Sequence, residues 1–339
     1  MSTQLRWHDV RDWGVGGKGW EHTPEFYGRL PAHARRGVPA EVWELGRHST
    51  GLYTDFITDS PEVHARWTLL SERLAMPHMP ATSVSGIDLY ARAEEGEWRW
   101  VAVGQPEVYP EVKLRLTYGL TREPRTFRIY LPLFNGVYDL SIGVVEGAEF
   151  CPVETKTEAA VVVYGTSIVH GIAASRPGMC HTSILSRCLD TPFVNLGFSG
   201  RGKMDYLFAD LLSEIKAKAI VIDCLPNMEP HLVKERAEDF VTRLARLNPS
   251  VPIVLVEDRT YANAWAVKKL AERNSLSRAI LRDVYRRVVE GGLKHISYVA
   301  GDRLLGDDGE ATVDGTHPTD LGFVRLAEVL GNALSPLIN

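Results

Sequence analysis

Residues 161–171, VVVYGTSIVHG, predict the architecture of the second half of the chain. A run of apolar, mostly β-branched residues, typical of a buried parallel strand, stops at Gly165, and a helical pattern follows Ser167. This pattern indicates a strand that delivers a serine to a turn. In an open α/β sheet, such a turn lies at the carboxyl ends of the strands, where ligands bind. The first N–H groups of the helix would point toward negative charge that develops beside Ser167.

A serine between a strand and a helix has a second interpretation, as an N-cap. Another motif bears on the choice, residues 314–317, which read Asp-Gly-Thr-His. An aspartate and a histidine three residues apart in such a turn can lie side by side, with the carboxylate orienting the imidazole as a general base. The alternative for this motif is a loop before a helix that is capped at Thr319 or Asp320.

Predicted strands alternate with predicted helices after about residue 150. The strands cover residues 159–164, 193–196, 219–223, 253–257 and 296–299, and the helices cover residues 178–189, 203–216, 231–247, 274–290 and 320–334. Alternation over five strands indicates a doubly wound parallel sheet of the flavodoxin type. We therefore expect an α/β domain over residues 151–339.

The first half of the chain, residues 1–150, has another pattern. Short alternating runs between turn residues predict strands at 42–45, 52–56, 63–69, 87–91, 98–102 and 126–131. Such a series is typical of an antiparallel β-sandwich or jelly roll. We predict an irregular arm over residues 1–39 and no helix before about residue 150.

The motifs occur in the order used by one family. The chain resembles the SGNH (GDSL-type) hydrolases, in which a serine, a glycine, an asparagine and a histidine come from four separate loops. Ser167 lies in Gly-Thr-Ser-Ile, in place of Gly-Asp-Ser-Leu, and Gly200 ends the second block, residues 195–200. Asp314 and His317 match the acid and the base of the last block.

The third block departs from this pattern. The family has Gly-x-Asn-Asp, whereas residues 223–228 read Asp-Cys-Leu-Pro-Asn-Met. Asn227 follows a predicted strand, as the family's asparagine does, but the flanking glycine and aspartate are missing.

The first half carries a resemblance of its own. Residues 85–90, SGIDLY, are similar to the Gly-x-Asp-Leu-Tyr signature of the β-sandwich domain that precedes the catalytic domain in one SGNH subfamily. Asp88 either acts in function or is a structural carboxylate that turn N–H groups satisfy, and we favour the structural role because buried polar groups normally find such partners.

The resemblance implies a serine esterase. His317 would take the proton of Ser167 and return it to the leaving alcohol, while Asp314 orients the imidazole. The backbone N–H groups of Ser167 and Gly200 and the amide of Asn227 would form the oxyanion hole. The implied substrates are short acyl esters, acetyl esters of carbohydrates foremost. The alternatives are an acyltransferase that uses the same serine and a catalytically inactive carbohydrate-binding protein.

Three further positions have two interpretations each. His170, one helical turn after Ser167, either lines the pocket or packs inside the first turn. Arg176 either binds a substrate oxygen or pairs with a carboxylate, and residues 257–259, Glu-Asp-Arg, either contribute to the site or form a salt-bridged loop.

The composition of the chain limits the classes of partner that it is expected to bind. The 339 residues are 45% hydrophobic and 24% charged, enough for two domains, and a net charge of −5 without a long Lys/Arg run argues against nucleic acid or a membrane surface as partner. We expect a small-molecule or oligosaccharide ester as partner and neither cofactor nor metal.

Residues 1–10 lack the pattern of an export leader, and four cysteines without metal-ligand spacing indicate free thiols, so we expect a cytoplasmic protein. A disulfide is the alternative, and the oligomeric state stays open.

Overall fold

The computed structural model describes residues 4–155 and 159–338. They form two compact units, each built from more than one chain segment. The first unit comprises residues 4–31, 46–155 and 175–178, and the second comprises residues 32–45, 159–174 and 179–338.

The first unit contains two antiparallel sheets. Its strands are β1 (Leu5–Asp9), β2 (Tyr53–Thr58), β3 (Glu62–Leu69), β4 (Asp88–Arg92), β5 (Trp98–Val103), β6 (Glu111–Tyr118), β7 (Arg125–Tyr130), β8 (Val137–Val145) and β9 (Phe150–Val153). The strand order is β1-β8-β3-β6 in one sheet and β5-β4-β7-β2-β9 in the other.

Inward-facing side chains of both sheets form the core of this unit. Every second residue along β3 is buried, and Val63, Ala65 and Trp67 are among the side chains that face inward. They belong to one hydrophobic cluster with Phe56 and Phe127 of the other sheet. A burial period of two is the packing that alternating sequence patterns predict. The predicted antiparallel sandwich is confirmed.

Three local predictions for the first half are wrong: the irregular arm, the strand at 42–45 and the lack of a helix before about residue 150. Residues 5–9 of the predicted irregular arm form β1, which pairs with β8 far along the chain, and residues 1–3 of that arm lie outside the described residues. The predicted strand at 42–45 lies in helix α1 (Ala40–Gly46), and α2 (Ala81–Val84) is a second helix before residue 150. Over four residues an apolar pattern fits a helix as well as a strand, and Pro39, whose carbonyl accepts a hydrogen bond from the N–H of Trp43, stands at the start of this helix, where proline is favoured.

The second unit is built on a parallel sheet. Its strands are β10 (Ala160–Gly165), β11 (Phe193–Gly197), β12 (Ala217–Asp223), β13 (Ile253–Val256) and β14 (Ile296–Val299). The order β11-β10-β12-β13-β14 is that of a flavodoxin-like sheet. Every residue of β10, β11 and β13 is buried, as expected for strands covered on both faces. The predicted doubly wound fold is confirmed.

Helices cover this sheet. They are α3 (Ser167–His170), α4 (His181–Cys188), α5 (Tyr206–Ser213), α6 (Pro230–Leu247), α7 (Lys268–Glu290) and α8 (Asp320–Ile338). Helices α5, α6 and α7 pack in sequence, and α4 packs against α8. Among the described residues, α8 is the one helix long and apolar enough to cross a membrane, but its Phe323, Leu326 and Leu330 are buried in this unit.

The four cysteines are free thiols, as predicted. Cys180 and Cys224 are buried, whereas Cys151 and Cys188 are exposed. Burial raises the pKa of the Cys224 thiol well above its ordinary value, so this side chain is a neutral core residue.

Glycines allow backbones to touch where β10, β11 and β12 end. A β-carbon on Gly165 would overlap the carbonyl oxygen of Asp223, and one on Gly197 would overlap the backbone nitrogen of His170. Helix α3 therefore sits directly on β11, and β10 lies directly against the end of β12.

Gly197→Ala should lower the free energy of unfolding of the second unit by about 1–3 kcal/mol, because the added methyl group must displace α3. Gly331→Ala is the matched control, since Gly331 lies inside α8, where its β-carbon would meet Leu185 Cδ2 at 3.4 Å and where alanine is the better helix former. The urea midpoint should fall for the first variant and hold or rise for the second. A wild-type midpoint for Gly197→Ala would contradict this close packing.

Candidate active site

Ser167 lies at the turn between β10 and α3. Thr166 is the N-cap of α3, and its Oγ1 accepts a hydrogen bond from the N–H of Ile168 at 3.3 Å. Ser167 is therefore not the capping residue, and its hydroxyl is free for another partner. The helix ends after one turn at Gly171, which has a left-handed φ of 92°.

That partner is His317. Ser167 Oγ lies 3.0 Å from His317 Nε2, and His317 Nδ1 lies 2.7 Å from Asp314 Oδ2. The carboxylate can only accept, so it assigns the proton to Nδ1 and leaves Nε2 to accept from the serine hydroxyl. The three side chains form one continuous chain of hydrogen bonds in the order used by serine hydrolases.

The turn after β14 holds Asp314 by its own backbone. Asp314 Oδ1 accepts hydrogen bonds from the N–H groups of Thr316, at 3.0 Å, and His317, at 2.9 Å. Burial works to raise the pKa of Asp314, but hydrogen bonds from the backbone and ring of His317 and from Thr316 outweigh it, so the pKa is lowered. Asp314 is therefore ionised at neutral pH and can stabilise an imidazolium.

Two backbone N–H groups predicted to form the oxyanion hole remain available as hydrogen-bond donors. Within residues 4–155 and 159–338, the N–H groups of Ser167 and Gly200 donate to no other protein group. Gly200 has a φ of 71°, and the space beside its Cα is open. A left-handed glycine in the loop after β11 thus leaves its donor accessible. The same loop contacts β10, because a β-carbon on Gly202 would overlap the carbonyl of Gly165.

Asn227 ends a 3-10 turn, Leu225–Asn227, directly after β12. β12 aligns Asp223 with Gly165 of β10, so this turn begins beside the Ser167 turn. Asn227 Oδ1 is buried without a partner among the described residues, and no hydrogen bond there joins Asn227 to Ser167 or His317.

The remaining candidates have structural partners. Asp88 is fully buried in the first unit and accepts hydrogen bonds from Trp100 Nε1 at 2.9 Å, from Arg176 at 2.8 Å and from the N–H of Gly178 at 2.8 Å. Burial raises the pKa of Asp88, and the Arg176 charge opposes that rise. Asp88 thus has the partners that a structural carboxylate needs, although one of the three is a backbone N–H and the others are side chains. Arg176 pairs with a carboxylate, but with one 88 positions away. His170 is fully buried inside α3.

Residues 257–259 form the predicted salt-bridged loop. All three are buried and all three are paired, as Glu257 with Arg282, Asp258 with Arg273 and Arg259 with Asp223. The pairs gather charged side chains at the carboxyl ends of β12 and β13.

Two features of the site are not predicted from the sequence. Arg273 of α7 contacts the turn that carries Asn227, and Trp265 lines a cavity of about 250 Å³ next to residues 311 and 312. No motif marks either residue. The one sequence signal is a tryptophan in a loop directly after a strand of the parallel sheet.

The sheet order and this chain of hydrogen bonds are those of an SGNH-type serine hydrolase. A family model for GDSL-like lipases and acylhydrolases matches residues 158–335, and a model for the N-terminus of SGNH-type esterases matches residues 5–150. The chain belongs to the GDSL-like lipase/acylhydrolase family and is a carboxylic ester hydrolase.

Solved structures agree with this assignment. A GDSL-like lipase from Bacteroides ovatus is 31% identical with a TM-score of 0.93, covering 99% of this chain and 98% of its own. A salicylyl-acyltransferase from a tetracycline biosynthetic pathway is 18% identical, with a TM-score of 0.75 and 98% of each chain covered. An acetyl xylan esterase from the rumen bacterium Butyrivibrio proteoclasticus is 12% identical, with a TM-score of 0.58 and 98% of each chain covered. These last two show the fold alone. No curated protein matches the chain.

Asn227→Ala should lower kcat by about 100-fold and leave KM within about threefold, because an oxyanion donor acts in the transition state. Asn332→Ala, at an exposed site on α8, is the matched control and should retain wild-type kinetics. Steady-state turnover of p-nitrophenyl acetate measures both constants. An unchanged kcat in Asn227→Ala would mean that another group donates to the oxyanion.

Proposed function

We propose that the protein hydrolyses short acyl esters of carbohydrates, acetyl esters foremost, with Ser167 as nucleophile. The observation that carries this proposal is the hydrogen-bond chain from Ser167 through His317 to Asp314. A neutral serine hydroxyl is a weak nucleophile, and an imidazole at 3.0 Å with a fixed tautomer supplies the base that it needs.

In the first half-reaction, Ser167 Oγ attacks the ester carbonyl while its proton moves to His317 Nε2. The oxyanion is held by the N–H groups of Ser167 and Gly200 and by the Asn227 amide. Collapse of the tetrahedral intermediate releases the alcohol, which takes the proton from His317, and leaves an acyl-serine. In the second half-reaction, His317 deprotonates water, water attacks the acyl group, and the acid leaves with the serine reprotonated.

The cavity beside the turn that carries His317 supports the proposal that the alcohol part of the substrate is rich in hydroxyl groups. Its wall is tied to that turn, since the N–H of Ala262 donates to the carbonyl of Gly315 at 2.9 Å. Trp265, 90% exposed, lines the cavity together with Asp302 and Asp307. An indole face packs against the C–H face of a sugar ring, and carboxylates accept hydrogen bonds from hydroxyls.

Two of the similar solved structures bear on the proposed substrate and on the alternative reaction. The acetyl xylan esterase shares the fold over its whole length, which favours acetylated carbohydrate as substrate. The salicylyl-acyltransferase shares it as well, so the same acyl-serine could pass to an alcohol in place of water.

Ser167→Ala should fold as the wild type does and lose about 10⁴-fold or more in kcat, because no other nucleophile is in place. Ser213→Ala, which removes a partly buried hydroxyl at the end of α5, is the control. Assays with p-nitrophenyl acetate and acetylated xylo-oligosaccharides test esterase activity, and free acetate compared with acetylated acceptor separates hydrolysis from transfer. Wild-type turnover in Ser167→Ala would refute the proposal.

Trp265→Ala should raise KM for acetylated xylo-oligosaccharides about 5- to 10-fold through loss of ring stacking, while p-nitrophenyl acetate kinetics stay unchanged. Trp265→Phe should recover most of the loss. Tyr206→Ala removes an exposed aromatic of α5 outside the cavity and serves as control. An equal effect of Trp265→Ala on both substrates, or no effect on either, would exclude a sugar subsite at this cavity.

A further inference from the structure

The 3-10 turn Leu225–Asn227 lacks the residues that flank the asparagine in the SGNH pattern. Leu225 and Met228 occupy the positions of the glycine and the aspartate. Inside the turn, the N–H of Asn227 donates to the carbonyl of Cys224 at 3.1 Å, and that of Met228 donates to the carbonyl of Leu225 at 2.9 Å. Two short-range bonds are a weak restraint for a side chain that must hold one position.

A side chain from α7 supplies a second restraint. Arg273 Nη2 donates to the carbonyl oxygens of Pro226 and Met228, both at 3.1 Å, and reaches that of Leu225 at 3.5 Å. These carbonyls lie on both sides of Asn227 along the chain. One guanidinium nitrogen therefore binds the carbonyls of the residues directly before and after Asn227.

The remaining donors of Arg273 hold the guanidinium itself. Nε donates to Glu229 at 2.9 Å, and Nη1 donates to Asp258 Oδ2 at 3.0 Å and to the hydroxyl of Tyr261. Asp258 is fully buried and also accepts a hydrogen bond from Asn274 at 2.9 Å. All five N–H groups of the planar guanidinium are thus engaged, and its side chain is 14% exposed. The guanidinium is therefore held in a single orientation.

We propose that Arg273 is a positioning residue that holds Asn227 where its amide can donate to the oxyanion, in the role that neither Leu225 nor Met228 can fill. The inference rests on the proposed function, because Asn227 must act in the transition state for its position to matter. Preorganised donors stabilise an oxyanion only when they are fixed before the reaction, and a displacement of about 1 Å can cost about 100-fold in rate.

The test is a double-mutant cycle on p-nitrophenyl acetate kinetics. Arg273→Ala and Arg273→Lys are each made in the wild type and in Asn227→Ala. Lysine keeps the charge, but a compact ammonium cannot span the turn and Asp258 together. Arg287→Ala is the matched control, since Arg287 lies on the same helix and pairs with Glu238 on the surface of α6.

In the wild-type background, Arg273→Ala should lower kcat about 10- to 100-fold with KM within about threefold. Arg273→Lys should lose a smaller factor, and Arg287→Ala should match the wild type. In the Asn227→Ala background, either Arg273 variant should change kcat by less than about twofold, because no amide remains to be positioned.

Equal losses from Arg273 variants in both backgrounds would overturn the inference, since a general loss of structure acts regardless of Asn227. Wild-type kcat in a folded Arg273→Ala would overturn it as well, as would an unchanged kcat in Asn227→Ala. If Arg273→Ala does not fold, Arg273→Lys decides by the same comparison. Failure of the proposed function itself is recognised separately, as turnover that survives Ser167→Ala.

Discussion

Direct contact between backbones at the ends of β10, β11 and β12 is the constraint on which the rest of the site depends. Gly165 lies against the carbonyl of Asp223, Gly202 lies against the carbonyl of Gly165, and Gly197 lies against the first turn of α3. With no side chain between them, the three loops that follow these strands begin within one small region. Two of the proposed oxyanion donors are therefore set by the main chain itself.

The turn of Asn227, the third proposed donor, lies against a group of buried charged side chains. Arg259 and Asp223 are fully buried and 2.7 Å apart, and Asp258 links the end of β13 to Arg273. Removing one member of such a pair leaves an uncompensated charge and costs about 3–5 kcal/mol, whereas the intact pair adds little net stability. What each pair supplies is a fixed geometry for its own members, and Arg273 of the second pair also donates to carbonyls in the turn of Asn227.

Much of this architecture can be predicted from the sequence, because strong local patterns determine it. The five parallel strands are mostly apolar runs that alternate with helical patterns, so their positions agree with prediction, and Ser167 and His317 lie in the turns where the motifs place them. Strand β1 and helix α1 were missed because a few residues fit either period and a distant partner decides between them. Arg273 could not be found, because its contacts join residues about 45 positions apart without any motif. The catalytic roles stay predictions.

Ser167 is buried, whereas the side chains of His317 and Asp314 are 24% and 45% exposed, so exposure increases from the serine to the aspartate. The hydrogen bond between Ser167 and His317 lies in the less exposed part, where electrostatic interactions are stronger, and the ionised aspartate stays in contact with solvent. The loop that carries Asp314 also supplies residues 311 and 312 to the wall of the cavity beside Trp265. If Ser167 is acylated as proposed, an alcohol bound in that cavity would compete with water for the acyl group. Occupancy of the cavity would then decide between transfer and hydrolysis.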